Sequence, residues 1–143
     1  MIGNIKIIAV CMCKVYDERN YRIIRALNNL AVENDYRLFV YHTCSDLYWK
    51  TLSEKGEQSV FDLIDYNITD AVVTFEEGVY AENVMTKIRM DAAKYGKPVI
   101  SVGVEHDDCI SIKFDYAKGF EQVVRHVIEQ HGVRDIGFIA GRK

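Results

Sequence analysis

Ile5–Cys11, IKIIAVC, is a short apolar run almost at the start of the chain, and a long amphipathic segment follows it. Further apolar runs recur at regular intervals, so this one reads as the central strand of a parallel sheet. In open α/β sheets, ligands bind outside the carboxyl ends of the strands, where successive connections leave the first strand in opposite directions. The run therefore predicts a binding edge just beyond Cys11.

Reading outward, CMCKVYDE is a loop, and Asp17 is placed to cap the helix behind it. Ile23, Ile24, Leu27, Leu30 and Ala31 recur at i, i+3, i+4 spacing and form one apolar stripe. Asn34 and Asp35 end that helix, and Leu38–Tyr41 is the second strand. Ser45 or Asp46 is the expected cap of a second helix with the stripe Trp49, Leu52, Val60, Leu63 and Ile64, weakened by Gly56. Ala71–Phe75, apolar nearly throughout, has the character of a parallel strand covered on both faces. Val84, Met85, Ile88 and Ala92 mark a third helix, stopped by Gly96 with Pro98 two residues on. Pro98–Gly103 is the fourth strand. Cys109–Phe114 alternates apolar and polar, as a strand nearer an edge does. Asp115 caps a last helix with the stripe Phe120, Val123, Val124, Val127 and Ile128, closed by Gly132, and Ile136–Ala140 reads as a final strand. Strands and helices alternate throughout, which predicts a single lobe over 1–143: a doubly wound, mostly parallel α/β sheet with helices on both faces.

The 143 residues suffice for one domain with a substantial core, and 49% apolar with 27% charged residues is ordinary globular composition. A net charge of -3 leaves no electrostatic footprint for nucleic acid or an anionic membrane. Arg19, Arg22 and Arg25 read as a solvated helix face. No run approaches the ~20 apolar residues of a membrane span, and the first run is too short for a secretory core, so a cytoplasmic location is expected. Cys11, Cys13, Cys44 and Cys109 include no C-x-x-C pair and read most simply as reduced thiols beside strands. The alternative is that Cys11, Cys13, His42, Cys44, His106 and Cys109, all near carboxyl ends of strands, hold zinc; the tight paired spacings of structural zinc sites are missing.

The loop after the first strand contains no glycine, which argues against a dinucleotide or P-loop phosphate site, and no acidic pair stands there to hold magnesium. No G-x-S-x-G elbow and no histidine pair at helical metal spacing occurs; His42, His106, His126 and His131 read as ordinary residues of separate elements. Neither catalysis nor a cofactor is expected. The loops instead carry aromatic and acidic side chains: Tyr16 and Asp17 after the first strand, Tyr48 and Trp49 after the second, Glu76, Glu77 and Tyr80 after the third, Asp115 and Tyr116 after the fifth. Aromatic faces stack on flat or ring-shaped ligands and carboxylates accept bonds from hydroxyl or amine donors, so sugars, nucleosides and amines suit such a mouth. Each residue also has a local reading, since aromatics staple helix starts and acids cap them.

The C-terminal third, CISIKFDYAKGFEQVVRHVIEQHGVRDIGFIAG, resembles the effector-binding domain of the lactose/galactose repressor family, which has the fold of periplasmic sugar-binding proteins. Asp115, Tyr116 and Gly119 match its Asp-aromatic-or-Asn-x-x-Gly helix start. His126-Val127-Ile128 and His131-Gly132 echo its His-Leu-Ile-x-x-Gly-His helix end, and Ile136, Phe138, Ile139 and Gly141 match its last strand. KIIAV, Ala26-Leu27, DYRLFVYHT and ITDAVVTF agree in order and spacing with earlier parts of the family's domain. The match spans this chain but half of that domain, which has two lobes with the ligand clamped between; the crossing to the second lobe would follow Gly141-Arg142-Lys143. Where the family starts its first helix with Asn-Pro-Phe-Phe, Asp17-Glu18-Arg19-Asn20 stands here, and no helix-turn-helix precedes the first strand. FDYAKGFEQVVRHVIEQHG is similar above all to sensors joined to GGDEF diguanylate cyclase domains.

The resemblance implies the N-terminal lobe of a ligand-sensing protein, a homodimer that takes a small-molecule effector, contacts no nucleic acid itself and controls an output domain such as GGDEF. Asp115 would accept bonds from ligand hydroxyls, Tyr16, Phe75 and Tyr116 would stack or pack, and Asp17 and Glu76 would rim the cleft. Two other classes stay open: a stand-alone flavodoxin-like enzyme, and a dimerisation module without ligand.

Overall fold

The structure, a computed structural model, describes residues 5–139 and divides into two compact units between Lys113 and Phe114. In the first unit, β1 (Lys6–Cys13), β2 (Tyr36–Thr43), β3 (Ala71–Phe75), β4 (Val99–Val102) and β5 (Ile110–Ile112) form one all-parallel sheet in the order β2-β1-β3-β4-β5. This is the α/β, doubly wound parallel arrangement expected. Its helices are α1 (Glu18–Glu33), α2 (Leu52–Gln58), continued by a 3-10 turn at Ser59–Leu63, and α3 (Glu82–Lys94). β5 stands at an edge, in keeping with its alternating pattern.

The pleat of β1 separates two layers, because successive side chains point to opposite faces. Ala9, Cys11 and Cys13 join Val72 and Val99 beneath Leu47, Phe61, Ile64, Met85, Ile88 and Ala92 in the buried core. On the opposite face Ile8 and Val10 line one apolar groove together with Leu27 and Ala31 of α1. Helices thus cover both faces. Register between β1 and β3 is pinned by Asp70, whose carboxylate accepts from Ile7 N at 2.7 Å and whose N–H donates to Ile7 O at 2.8 Å.

Several boundaries and caps differ from the sequence reading. β1 runs on to Cys13, because its ladder with β2 continues to the Cys13–Thr43 pair; the loop behind it is only Lys14–Asp17. Asp17 holds the N-cap position of α1 but makes no side-chain capping bond. The second helix starts at Leu52, with neither Ser45 nor Asp46 as its cap: Thr51 and Glu54 form a reciprocal capping box. Trp49, Leu52 and Leu63 of the expected stripe are exposed, and the 3-10 turn re-aims the chain so that Phe61 and Ile64 are buried.

The second unit contains α4 (Tyr116–His131). Asp115 caps it by accepting from Lys118 N at 2.9 Å, and Gly132 closes it in the left-handed region at φ 65°, both as expected. Residues 136–139 are not a strand, and the remainder of the expected segment, Ala140, lies outside the described residues, as does Gly141. A strand takes its hydrogen bonds from a neighbour, and no described strand pairs with 136–139. Phe138 instead meets Phe120 of α4, centroids 5.6 Å apart.

Candidate functional site

All five strands point their carboxyl ends the same way, and the chain reverses its direction of travel across the sheet between β1 and β3. The first-unit loops that crowd this switch point are Lys14–Asp17, 44–51 and 76–81. Lys14 sits at φ 49°, a left-handed backbone that a non-glycine residue keeps only when its surroundings hold it. They do so here: the Asn20 amide donates to Cys13 O at 3.0 Å and Lys14 O at 3.1 Å, and Lys14 N donates to Thr43 O at 2.8 Å. The lysine side chain is thereby aimed at Asp46, with Nζ 3.0 Å from Oδ2. The bond from Lys14 holds the Asp46 carboxyl below its usual value against the opposing effect of partial burial, and the same bond raises the lysine.

The loop after β2 is organised from beneath. Glu57 Oε2 accepts from Cys44 N and Ser45 N, each at 2.9 Å, and from Ser45 Oγ at 3.0 Å. Leu47, at φ 61°, is wholly buried and acts as the anchor of the loop. With Leu47 turned inward, Tyr48 and Trp49 stand out. Tyr80 N donates to Asp46 O at 3.0 Å, which brings the loop after β3 alongside. Tyr48 then meets Trp49 and Tyr80 edge-on, at centroid distances of 4.9 and 5.0 Å. Trp49 remains 75% exposed. Exposed rings arrayed beside a fixed Lys–Asp pair offer both apolar faces and hydrogen-bonding groups to a ring-shaped polar molecule.

Of the residues expected to bind, the first unit holds four. Tyr16 is exposed and donates its hydroxyl to Cys44 O at 2.5 Å, tying the first loop to the second. Asp17 is exposed, and Phe75 ends β3 half-buried. Glu76 does not rim the cleft: it is 7% exposed and points into the protein. Its Oε1 accepts from Thr74 Oγ1 at 2.8 Å and from Arg89 Nη1 at 2.9 Å, while Oε2 lies 2.9 Å from His106 Nε2. Burial works against its ionisation, but the bonds to His106 and Thr74 and the Arg89 charge outweigh it and hold the carboxyl below its usual value. Asp115 and Tyr116 belong to the second unit, where Tyr116 is exposed with its ring 5.8 Å from Phe114.

Lys14, Asp46, Arg89 and His106 were not singled out as a working group by the sequence reading. Arg89 carried a signal, since it occupies a core position of the Met85, Ile88, Ala92 stripe, where a charge requires a buried partner. Arg19 reaches Glu77 at 2.8 Å, joining the start of α1 to the loop after β3. Gly103, at φ +100°, lies so close that a Cβ there would be 2.6 Å from Glu77 Cβ. The cysteine and histidine donors weighed for zinc are not gathered: among the described residues no three His, Cys, Asp or Glu side chains form a group able to hold a metal ion. Cys11 is buried in the core, and burial pushes its thiol pKa up. A separate groove of about 520 Å³ beside α3 is rimmed by Lys87, which pairs with both Asp62 and Asp91. No helix among the described residues is long and apolar enough to cross a membrane.

No protein family profile matches the chain, and no curated protein matches it in sequence. Among solved structures, its fold is similar to that of an ABC sugar transporter subunit from Rhodobacter sphaeroides 2.4.1, with a TM-score of 0.64 at 13% identity. The alignment covers 89% of this chain and 42% of that one, so this chain spans about two fifths of the length of the protein it matches. The fold is that of one lobe of a periplasmic-binding-protein-like domain.

Proposed function

We propose that this chain is the N-terminal, ligand-sensing lobe of a cytoplasmic bacterial regulatory protein. It binds a small polar molecule, a sugar or nucleoside, at the carboxyl edge of the sheet and controls an output domain such as GGDEF by closing on a second lobe within a homodimer. The observation that carries this reading is the cluster of exposed rings, Tyr48, Trp49 and Tyr80, held beside the Lys14–Asp46 pair at the switch point of the sheet. Exposed aromatic side chains cost solvation when nothing covers them, and here the loops gather three exposed rings in edge-on contact at one mouth. The partial coverage of a structurally similar sugar transporter subunit supports a second lobe, and four unpaired cysteines agree with a reducing compartment. Closure regulates an output only if the ligand binds the closed state more tightly than the open one.

Trp49 is the sole tryptophan, so its fluorescence reports on this mouth directly. In the full-length protein, titration with pentoses, hexoses and ribonucleosides should give a saturable change in Trp49 emission for at least one class, with a rise in melting temperature. Tyr80→Ala should weaken that response. A panel that leaves both emission and melting temperature unchanged overturns the proposal.

A further inference from the structure

Two non-glycine residues of the loop after β2, Leu47 at φ 61° and Lys50 at φ 54°, have left-handed backbones. Such residues persist only where their surroundings over-determine them, so the loop that carries Tyr48 and Trp49 between them must be held from outside. Leu47 is held by the complete burial of its side chain. Further holds come from one short helix. Glu54 and Glu57 stand three residues apart on α2, a spacing that puts them on one face, and both carboxylates reach backbone N–H groups of the loop.

The two carboxylates act differently. Glu57 gathers three donors on the single oxygen Oε2: Cys44 N, Ser45 N and Ser45 Oγ. Glu54 divides its oxygens. Its Oε2 accepts from Thr51 N at 3.0 Å, which is its half of the α2 capping box, and its Oε1 accepts from Trp49 N at 3.3 Å. The capping box does not need the second bond, and that bond is the one that reaches an aromatic residue of the mouth. Glu54 is 5% exposed, so water competes little for either oxygen. Tyr48 is thereby bracketed, with a buried side chain fixing the residue before it and a bonded N–H fixing the residue after it. Its ring meets Trp49 and Tyr80 edge-on from that fixed position.

We infer that Glu54 and Glu57 are positioning residues of the mouth: from α2 they hold the loop after β2 by its backbone N–H groups and so set where the Tyr48 and Trp49 rings stand. That the mouth takes a small polar molecule rests on the function proposed above; the placing of the rings does not. The division of labour makes the two carboxylates respond differently to the same substitution. Gln in place of Glu57 keeps an oxygen for all three donors. Gln in place of Glu54 keeps an oxygen for Thr51 N, since Gln also serves at this position of a capping box, but turns its amide N–H group toward Trp49 N–H, donor against donor.

The test is amide hydrogen exchange of the full chain by NMR, together with time-resolved anisotropy of Trp49, the sole tryptophan. Neither needs a bound molecule, so a protein that ignores every sugar and ribonucleoside overturns the proposed function and leaves this inference to its own result. In the parent, the Trp49, Thr51, Cys44 and Ser45 amides should all be protected. Glu54→Gln should speed exchange at Trp49 by about tenfold, the scale of one hydrogen bond to a charged group, and loosen the Trp49 ring in anisotropy, while Thr51 stays protected. Glu57→Ala should speed exchange at Cys44 and Ser45 by a similar factor, and Glu57→Gln should restore most of their protection. An unprotected Trp49 amide in the parent, or Trp49 exchange and anisotropy unchanged in Glu54→Gln, overturns the inference. So does loss of protection at Trp49 and Thr51 together, which is what a merely structural role or an unfolded chain gives.

Discussion

Glu76→Gln is the substitution that probes the interior of this edge most sharply. Glu76 and Arg89 are 7% and 6% exposed, and the carboxylate is the buried counter-charge of the guanidinium. Gln keeps the shape and removes the charge, leaving the exposed Asp108, 3.6 Å from Arg89 Nε, as the remaining counter-charge beside the neutral hydrogen bond from Arg89 to Thr86 Oγ1. Removing one partner of a buried pair costs about 3–5 kcal/mol. For a urea m-value of about 1.5 kcal/mol/M this lowers the unfolding midpoint by about 2–3 M. The double variant Glu76→Gln/Arg89→Met should recover most of the loss, because no unpaired charge remains. The depressed carboxyl also fixes the pH response. Its contribution is complete above the unfolded carboxyl value of about 4.3 and is lost as pH falls through the lower folded value. Urea unfolding of the wild type, the single variant and the double variant at neutral and acidic pH is the assay. A single variant within about 0.5 kcal/mol of wild type, the range of an ordinary surface change, refutes the account of a buried counter-charge.

Gly103→Ala should displace the loop after β3, since its Cβ would fall 2.6 Å from Glu77 Cβ at a φ of +100°; a cost of about 1–3 kcal/mol is expected in thermal unfolding. Thr51→Ala should remove the capping box of α2 at a cost of about 1 kcal/mol, read by urea titration, with Thr51→Ser close to wild type. Asp115→Ala should cost about 1 kcal/mol by loss of the α4 cap, read by urea titration, whereas Asp115→Asn keeps the cap. Trp49→Ala should leave the melting temperature within a degree or so of wild type, because the ring is largely exposed.

The order of strands and helices through α4 was legible in residues a few positions apart. Periodicity marked the buried stripe Met85, Ile88, Ala92, and glycines marked the ends at Gly96 and Gly132. Asp115 was legible as a cap for the same reason: its partner is three residues away. What escaped the sequence depends on partners far along the chain. β1 extends to Cys13 because Thr43, thirty residues on, continues its ladder, and Glu76 is buried because Arg89 and His106 close over it. The strand expected at Ile136–Ala140 had the right pattern, but a strand exists only with a neighbour, and residues 136–139 have none among the described residues.

By itself, then, the sequence determined the class of fold and the chemistry available at its loops: alternating apolar runs, aromatic rings and acids after the strands, no phosphate-binding glycines. Only the tertiary structure decided the strand order β2-β1-β3-β4-β5, and with it where the switch point lies. It also decided which of those side chains face outward together, Tyr48, Trp49 and Tyr80, and which turns inward, Glu76. The physical reason is that periodicity encodes which face of an element is apolar, while pairing between distant elements depends on the free energy of the whole packed arrangement.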